Sequence, residues 1–139
     1  MKTLKAQAPE LFSSAEKKKI VLLEKDFSSR RKWDQRRPEA LRRLNLLQEY
    51  FAAAPETEFT LLVYPDKLSV YAEFIDSIDK PATLIPEIAE LIKIPRLDIA
   101  FRQAILDGQK DIYLPNNSHS GGWANILAGE LVAEHLTNE

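Results

Sequence analysis

No cysteine occurs anywhere in the 139 residues, which excludes a disulfide framework, a thiol nucleophile and any cysteine-ligated metal centre. Histidine is nearly as scarce. Only His119 and His135 are present, sixteen positions apart, and no H-x-x-x-H or D-x-D-x-D-G spacing accompanies them, so no metal site is expected. No run approaches the roughly eighteen apolar residues a spanning helix needs, and no signal-type apolar region precedes the first charges. Glycine-rich phosphate loops are missing as well, because neither G-x-x-x-x-G-K-[ST] nor G-x-G-x-x-G occurs, and no cofactor is expected. Repeats and low-complexity tracts are absent. What remains, 45% apolar and 29% charged residues, is an ordinary globular composition, with a cytoplasmic setting expected from the missing cysteines.

The charge is present but unevenly laid out. The formal net charge is -2, yet Lys17 to Arg43 holds eleven bases against four acids, a surplus of about seven positive charges, while residues 44–139 hold six bases against fifteen acids. Such a split suits either an acidic partner for the basic stretch or mutual attraction between two parts of the molecule.

Hydrophobic spacing sets the expected elements. Residues 1–12 have no period and are expected to form a loose arm, with one globular domain over 13–139. Ser13 and Glu16 have capping-box spacing for a helix to about Asp26 carrying Ile20, Leu23 and Phe27 on one face. Residues 28–37 read as a basic connector, and Pro38 opens a second helix with Ala40, Leu44, Leu47 and Phe51 inward, closed by Pro55. Phe59, Leu61 and Val63, then Leu68, Val70, Ala72 and Phe74, alternate around Pro65, Asp66 and Lys67, predicting a hairpin over 58–75. A loop is expected over 76–82. A helix from Thr83 or Ile85 ends before Pro95, and another follows with Leu97, Ala100, Phe101, Ala104 and Ile105 inward, ending at Gly108. A short strand over 111–114, a turn-rich loop to Gly122, and a last helix from about Trp123 to Leu136, with Ile126, Leu127, Leu131 and Val132 inward, complete the chain. The expected fold class is α+β: four to five helices packed on a small, mainly antiparallel sheet built around the 58–75 hairpin.

Three groups of residues can carry chemistry. Around Pro95, Ile88, Ala89, Leu91, Ile94 and Ile99 occupy the inward positions of two short helices over about 83–107, and this stretch resembles the helix-turn-helix of bacterial repressors. The resemblance implies Arg96, Arg102 and Gln103 at a DNA groove; it departs from the pattern at Lys93, where a turn glycine is usual, and at Arg102, where an apolar residue is usual. Second, Arg30, Arg31, Lys32, Trp33, Arg36 and Arg37 put paired cations beside an aromatic ring, a composition suited to an acidic protein surface or to a nucleic-acid backbone. Third, Ser118, His119, Ser120, Gly121 and Gly122 lie before a helix, where hydroxyls and backbone amides can bind an anion and where His119 can serve as a base.

The leading expectation is a non-enzymatic regulatory protein that docks an acidic partner through residues 17–43, with self-association as an added option. A nucleic-acid-binding regulator is the alternative, and a small enzyme centred on His119 is a distant third.

Overall fold

A computed structural model describes residues 2–5, 11–14, 19–22, 30–54, 56–75 and 83–138. Among the described residues the chain is mostly helical, with two short strands, β1 (Lys2–Lys5) and β2 (Lys19–Leu22), and five helices: α1 (Arg30–Ala52), α2 (Lys67–Tyr71), α3 (Ile85–Leu91), α4 (Leu97–Leu106) and α5 (Gly122–Thr137). The expected α+β architecture is therefore wrong. Strand pairing among the described residues amounts to one antiparallel ribbon in which Lys2 faces Leu22 and Lys5 faces Lys19, and the helices do not rest on a sheet built from residues 58–75.

The hairpin fails because its second half is helical. Asp66 caps α2, its two carboxylate oxygens accepting from the Ser69 N–H at 2.8 Å and the Ser69 hydroxyl at 2.7 Å, and a 3-10 turn over Ala72–Phe74 extends the helix. Lys67, Leu68, Val70, Tyr71, Ala72 and Phe74 are all buried. Only Asp66, Ser69 and Glu73 mark its polar side, and in so short a helix the buried apolar residues carry no legible period. In the first half, Phe59, Leu61 and Val63 do face inward while Leu62 and Tyr64 are exposed, but no strand pairs with them among the described residues.

Two apolar clusters organise the helices. The larger joins Leu11, Phe12, Ile20 and Leu22 to α2, to Leu97, Phe101 and Ile105 of α4, to Ile112 and Tyr113, and to Ala124 and Ala128 of α5. Aromatic contacts run through it from Phe12 to Tyr71 (5.6 Å between ring centres), Tyr71 to Tyr113 (6.3 Å) and Tyr113 to Phe101 (6.2 Å), all tilted or edge-on. The Tyr71 hydroxyl accepts the Tyr113 N–H at 3.2 Å, and burial pushes that phenol above its ordinary pKa. The second cluster sets Ile85, Ile88, Ile92 and Ile94 against Leu41 and Leu44 of α1 and against Phe59, Leu61 and Val63. Phe51 stacks on Phe59 at 4.7 Å with nearly parallel rings.

The N-terminal segment departs from a loose arm, since it supplies β1 and sends Leu11 and Phe12 into the larger cluster. Ser13 does not start a helix. Its N–H and hydroxyl both donate to the Asp111 carboxylate, and residues 19–22, expected as helix, form β2. Leu23, Phe27, Glu16 and the loop 76–82 lie outside the described residues. The expected connector 28–37 is likewise corrected: α1 already runs from Arg30 and passes through Pro38. Pro38 is exposed, so the hydrogen bond its ring deletes lies on the solvent side.

The remaining helices follow their signals more closely. Pro86 sits in the first turn of α3, and α4 ends in a Schellman motif. There the Gln109 N–H reaches the Ala104 carbonyl at 2.8 Å, the Gly108 N–H reaches that of Ile105 at 3.0 Å, and Gly108 takes a φ of 87°. Along α5 the inward residues are Ala124 and Ala128, flanked by Leu127 and Leu131, and Ile126 faces out. Small side chains on that face let α5 approach the larger cluster closely.

Candidate functional site

The basic stretch that stood out in the sequence becomes the first half of a peripheral helix. The side chains of Arg30, Arg31 and Trp33 lie outside the described residues, although their backbone is helical. Lys32 and Arg36 are exposed, and among the described residues no carboxylate pairs with either. Their neighbours are matched within the chain. Arg37 donates to Glu87 of α3 at 3.1 Å, Arg42 grips Glu39 through two nitrogens at 2.8 and 2.9 Å, and Arg43 reaches the same carboxylate at 2.7 Å. Arg37 therefore leaves the docking set and helps to hold α1 on α3, an exposed pair worth about 0–1 kcal/mol.

The two guanidinium groups hold the Glu39 carboxyl down to about 2, chiefly through the hydrogen bond from Arg42 and then that from Arg43, and Glu39 raises Arg42 in return. Because the folded-state value is depressed, whatever support this pair gives α1 is complete above the ordinary carboxylate range and fades as the pH falls toward 2. A carbon-detected NMR titration should place the Glu39 midpoint near 2, and Arg42→Ala should move it up toward ordinary glutamate. A wild-type midpoint in the ordinary range would show that the fork does not persist in solution.

Beyond the cations, the outer side of α1 turns apolar. With 3.6 residues per turn, Lys32, Arg36, Glu39, Arg43, Leu46, Leu47 and Tyr50 fall on the outward stripe. Leu46, Leu47 and Tyr50 are exposed, Tyr50 to 72%. The sequence reading placed Leu47 inward and missed this apolar end. Its signal was the spacing of Leu46 and Tyr50, four residues apart and both off the Leu44–Phe51 face.

The helix pair around Pro95 is not arranged as its resemblance implied. Ile88 and Ile94 are buried, but Leu91 is 38% and Ile99 56% exposed. Moreover, α3 belongs to the smaller cluster and α4 to the larger one. The three side chains implied at a groove are engaged at home: Arg96 with Asp98 at 2.8 Å, Arg102 with Glu73 at 2.6 Å, and Gln103 with Asp107 at 2.8 Å. The carboxylates raise both Arg96 and Arg102, mainly through these hydrogen bonds.

The loop before α5 is held mostly by its own backbone. Tyr113 and Ser120 form an antiparallel bridge, the Leu114 N–H reaches the His119 carbonyl at 2.9 Å, and the Gly121 N–H reaches that of Ile112 at 2.8 Å. Residues 111–114 thus form a bridge and no longer strand. Asn117 Oδ1 accepts the His119 N–H at 2.8 Å and lies 3.3 Å from His119 Nδ1. The Ser120 hydroxyl donates to Asn125 Oδ1 at 3.0 Å, and the Tyr64 hydroxyl reaches the same atom at 3.4 Å. Ser118 and His119 are exposed, Gly121 is the N-cap of α5 without a capping side chain, and Gly122 begins the helix. No hydrogen bond joins His119 to either serine hydroxyl among the described residues, so the nucleophile and base geometry is not assembled. No group of three or more potential metal ligands occurs among the described residues either.

One buried charge went unread in the sequence. Lys67, 2% exposed, points its ammonium at four backbone carbonyls: Leu114 at 2.6 Å, Val21 and Asn117 at 2.9 Å, and Pro115 at 3.3 Å. The Phe12 ring lies 5.8 Å away. Lys67 ties α2 to β2 and to the loop, which makes it a structural clasp.

Comparison of the chain with protein-family models, curated proteins and solved structures yields no match. Function must be argued from the surface itself. No helix among the described residues is long and apolar enough to cross a membrane.

Proposed function

We propose that the protein is a non-enzymatic binding protein that docks an acidic protein segment on the outer face of α1. The observation that carries this reading is the makeup of that helix. It opens on Arg30, Arg31 and Lys32 with no acid in its first turn, at the end where the helix dipole is already positive. Cations placed there weaken the free helix and favour a nearby anion. Over Arg30–Ala52 seven bases face three acids, and the same outward stripe then exposes Leu46, Leu47 and Tyr50. Charge supplies attraction and orientation, while desolvated aromatic and aliphatic side chains supply most of the affinity. An acidic helix with its own apolar stripe is the complementary surface.

A fluorescent helical peptide rich in glutamate and leucine, and a DNA duplex of similar charge, serve as probes in anisotropy titrations. The peptide should bind, and the double variant Lys32→Glu, Arg36→Glu should weaken it by about tenfold or more. No peptide binding by the folded chain would overturn the reading. Tight duplex binding that collapses between about 50 and 200 mM salt would transfer the face to nucleic acid.

A further inference from the structure

We infer that the acidic helix received by α1 is α5 of a second copy of this chain. The inference rests on the reading of α1 as a docking helix and names its partner. Trp123, Ile126 and Leu136 of α5 are exposed to 52%, 49% and 47%. With Gly129 and Ala133, also exposed, they recur at steps of three and four residues and so form one outward stripe. Burial on the opposite side of the helix is already complete through Ala124 and Ala128, so nothing within the larger cluster uses this stripe.

Gly129 adds a second clue. Glycine inside a helix is less favourable than alanine, and no strain or crowding demands it here, because a Cβ at that position would meet nothing within 4 Å. Its absence of side chain lets another helix come close.

Charge fits the pairing. From Gly122 to Thr137 the chain has Glu130 and Glu134 and neither lysine nor arginine, whereas α1 carries a surplus of four positive charges. The order of the features also matches. Along α1 the exposed cations come first and Leu46, Leu47 and Tyr50 last; along α5 Trp123 and Ile126 come first and the glutamates later. An antiparallel crossing that puts Arg36 opposite Glu134 brings Lys32 to the C-terminal, negative end of α5 and leaves Glu130 one turn from Arg36. In that register Leu46 and Leu47 lie beside Trp123, and Tyr50 lies just beyond the start of α5. The low net charge of -2 leaves little overall repulsion between copies.

Charge exchange tests this on the whole chain by sedimentation equilibrium. The wild type should exceed its 15.9 kDa monomer mass with rising concentration. Lys32→Glu with Arg36→Glu makes both faces acidic, and Glu130→Lys with Glu134→Lys removes the acidic face, so each double variant alone should remain monomeric. Mixing the two restores opposite charges at both crossings and should restore the mass. A third variant, Gly129→Leu, should raise helix stability yet weaken association, two readouts of opposite sign that a purely structural role would not produce. A monomeric wild type at high concentration, or mixed variants that stay apart, would overturn the inference. If the glutamate and leucine peptide still binds α1 in that case, the docking reading stands and only the identity of the partner falls.

Discussion

Gly121→Ala is expected to destabilise the fold by more than about 4 kcal/mol, a large share of the roughly 5–15 kcal/mol that holds a domain together. The reason is contact and not backbone freedom, since Gly121 has an ordinary φ of -78°. A Cβ there would lie 1.8 Å from the carbonyl oxygen of Asp111 and 3.0 Å from its carbonyl carbon. Those atoms cannot easily retreat. Asp111 is held in the left-handed region at a φ of 57°, its N–H bonds the Leu11 carbonyl at 3.1 Å, and its carboxylate is bound by both donors of Ser13. Gly121 is fixed in turn by its own hydrogen bond to Ile112. Relief would have to break the junction that joins the N-terminal segment, the loop and the start of α5. Gly122→Ala is the matched control, because nothing lies within 4 Å of a Cβ there and the change should stay within about 0.5 kcal/mol of neutral or be mildly favourable. Urea unfolding of the pair decides the point: a loss below about 1 kcal/mol for Gly121→Ala would mean that the approach of these two backbones is not tight in solution.

The two glycines show how far composition alone can be read. Both belong to the turn-rich loop that the sequence marks as an anion-binding candidate, yet the separation between a glycine that must be glycine and one that need not be depends on Asp111, ten residues away and read only as the edge of a strand. Elsewhere legibility followed amphipathicity. Helices α3 and α4 have a one-sided apolar pattern and local boundary signals, Pro86 in the first turn of one and Gly108 after the other, and both were read close to their observed bounds. In α2 most residues are buried and the helix is short, and the alternation of Leu68, Val70, Ala72 and Phe74 mimics a strand. The local sign that contradicts a strand is Asp66 three residues before Ser69, a cap spacing outweighed by the apparent period of two. The strand β2 was hidden for the opposite reason: Ser13 and Glu16 have the letters of a capping box, while both donors of Ser13 are in fact committed to Asp111. Tertiary demand overrode a correct local rule.

For the candidate site, the basic character of residues 30–37 was plain from counting, but its accessible part was not. Whether an arginine is available depends on which carboxylate the fold delivers to it, and Glu87, fifty residues from Arg37, belongs to another helix. Glu39, by contrast, lies three and four residues from Arg42 and Arg43, a spacing that sequence alone allows one to pair on a helix. The exposed apolar stripe of α5 was misread because Ile126 looks like a core residue and Ala124 does not, whereas close helix packing prefers the alanine.

Lys67→Met carries the second large expected effect, a loss of about 3–5 kcal/mol, because it removes a buried charge on which four partly buried carbonyls converge. Methionine preserves most of the stem volume, so little of the loss comes from a cavity. The cost lies with the carbonyls of Val21, Leu114, Pro115 and Asn117, which surrender a charged donor at 2.6 to 3.3 Å. Their need for it has a local cause. Val21 gives its N–H to the Pro115 carbonyl at 3.0 Å, as a neighbouring strand would, but Pro115 has no N–H to return, and the Val21 carbonyl is met instead by the Lys67 ammonium. The lysine thus takes the place of a missing ladder bond and extends the clasp two residues further, to Asn117. Hydrogen exchange separates this account from a general loss of packing: in Lys67→Met the Val21 amide should lose protection beyond the global decrease, while amides in the middle of α1 should follow the global value alone. A stability loss under about 1 kcal/mol, or uniform exchange across β2 and α1, would show that the carbonyls find water or other donors and that the ammonium is only a packed end of α2.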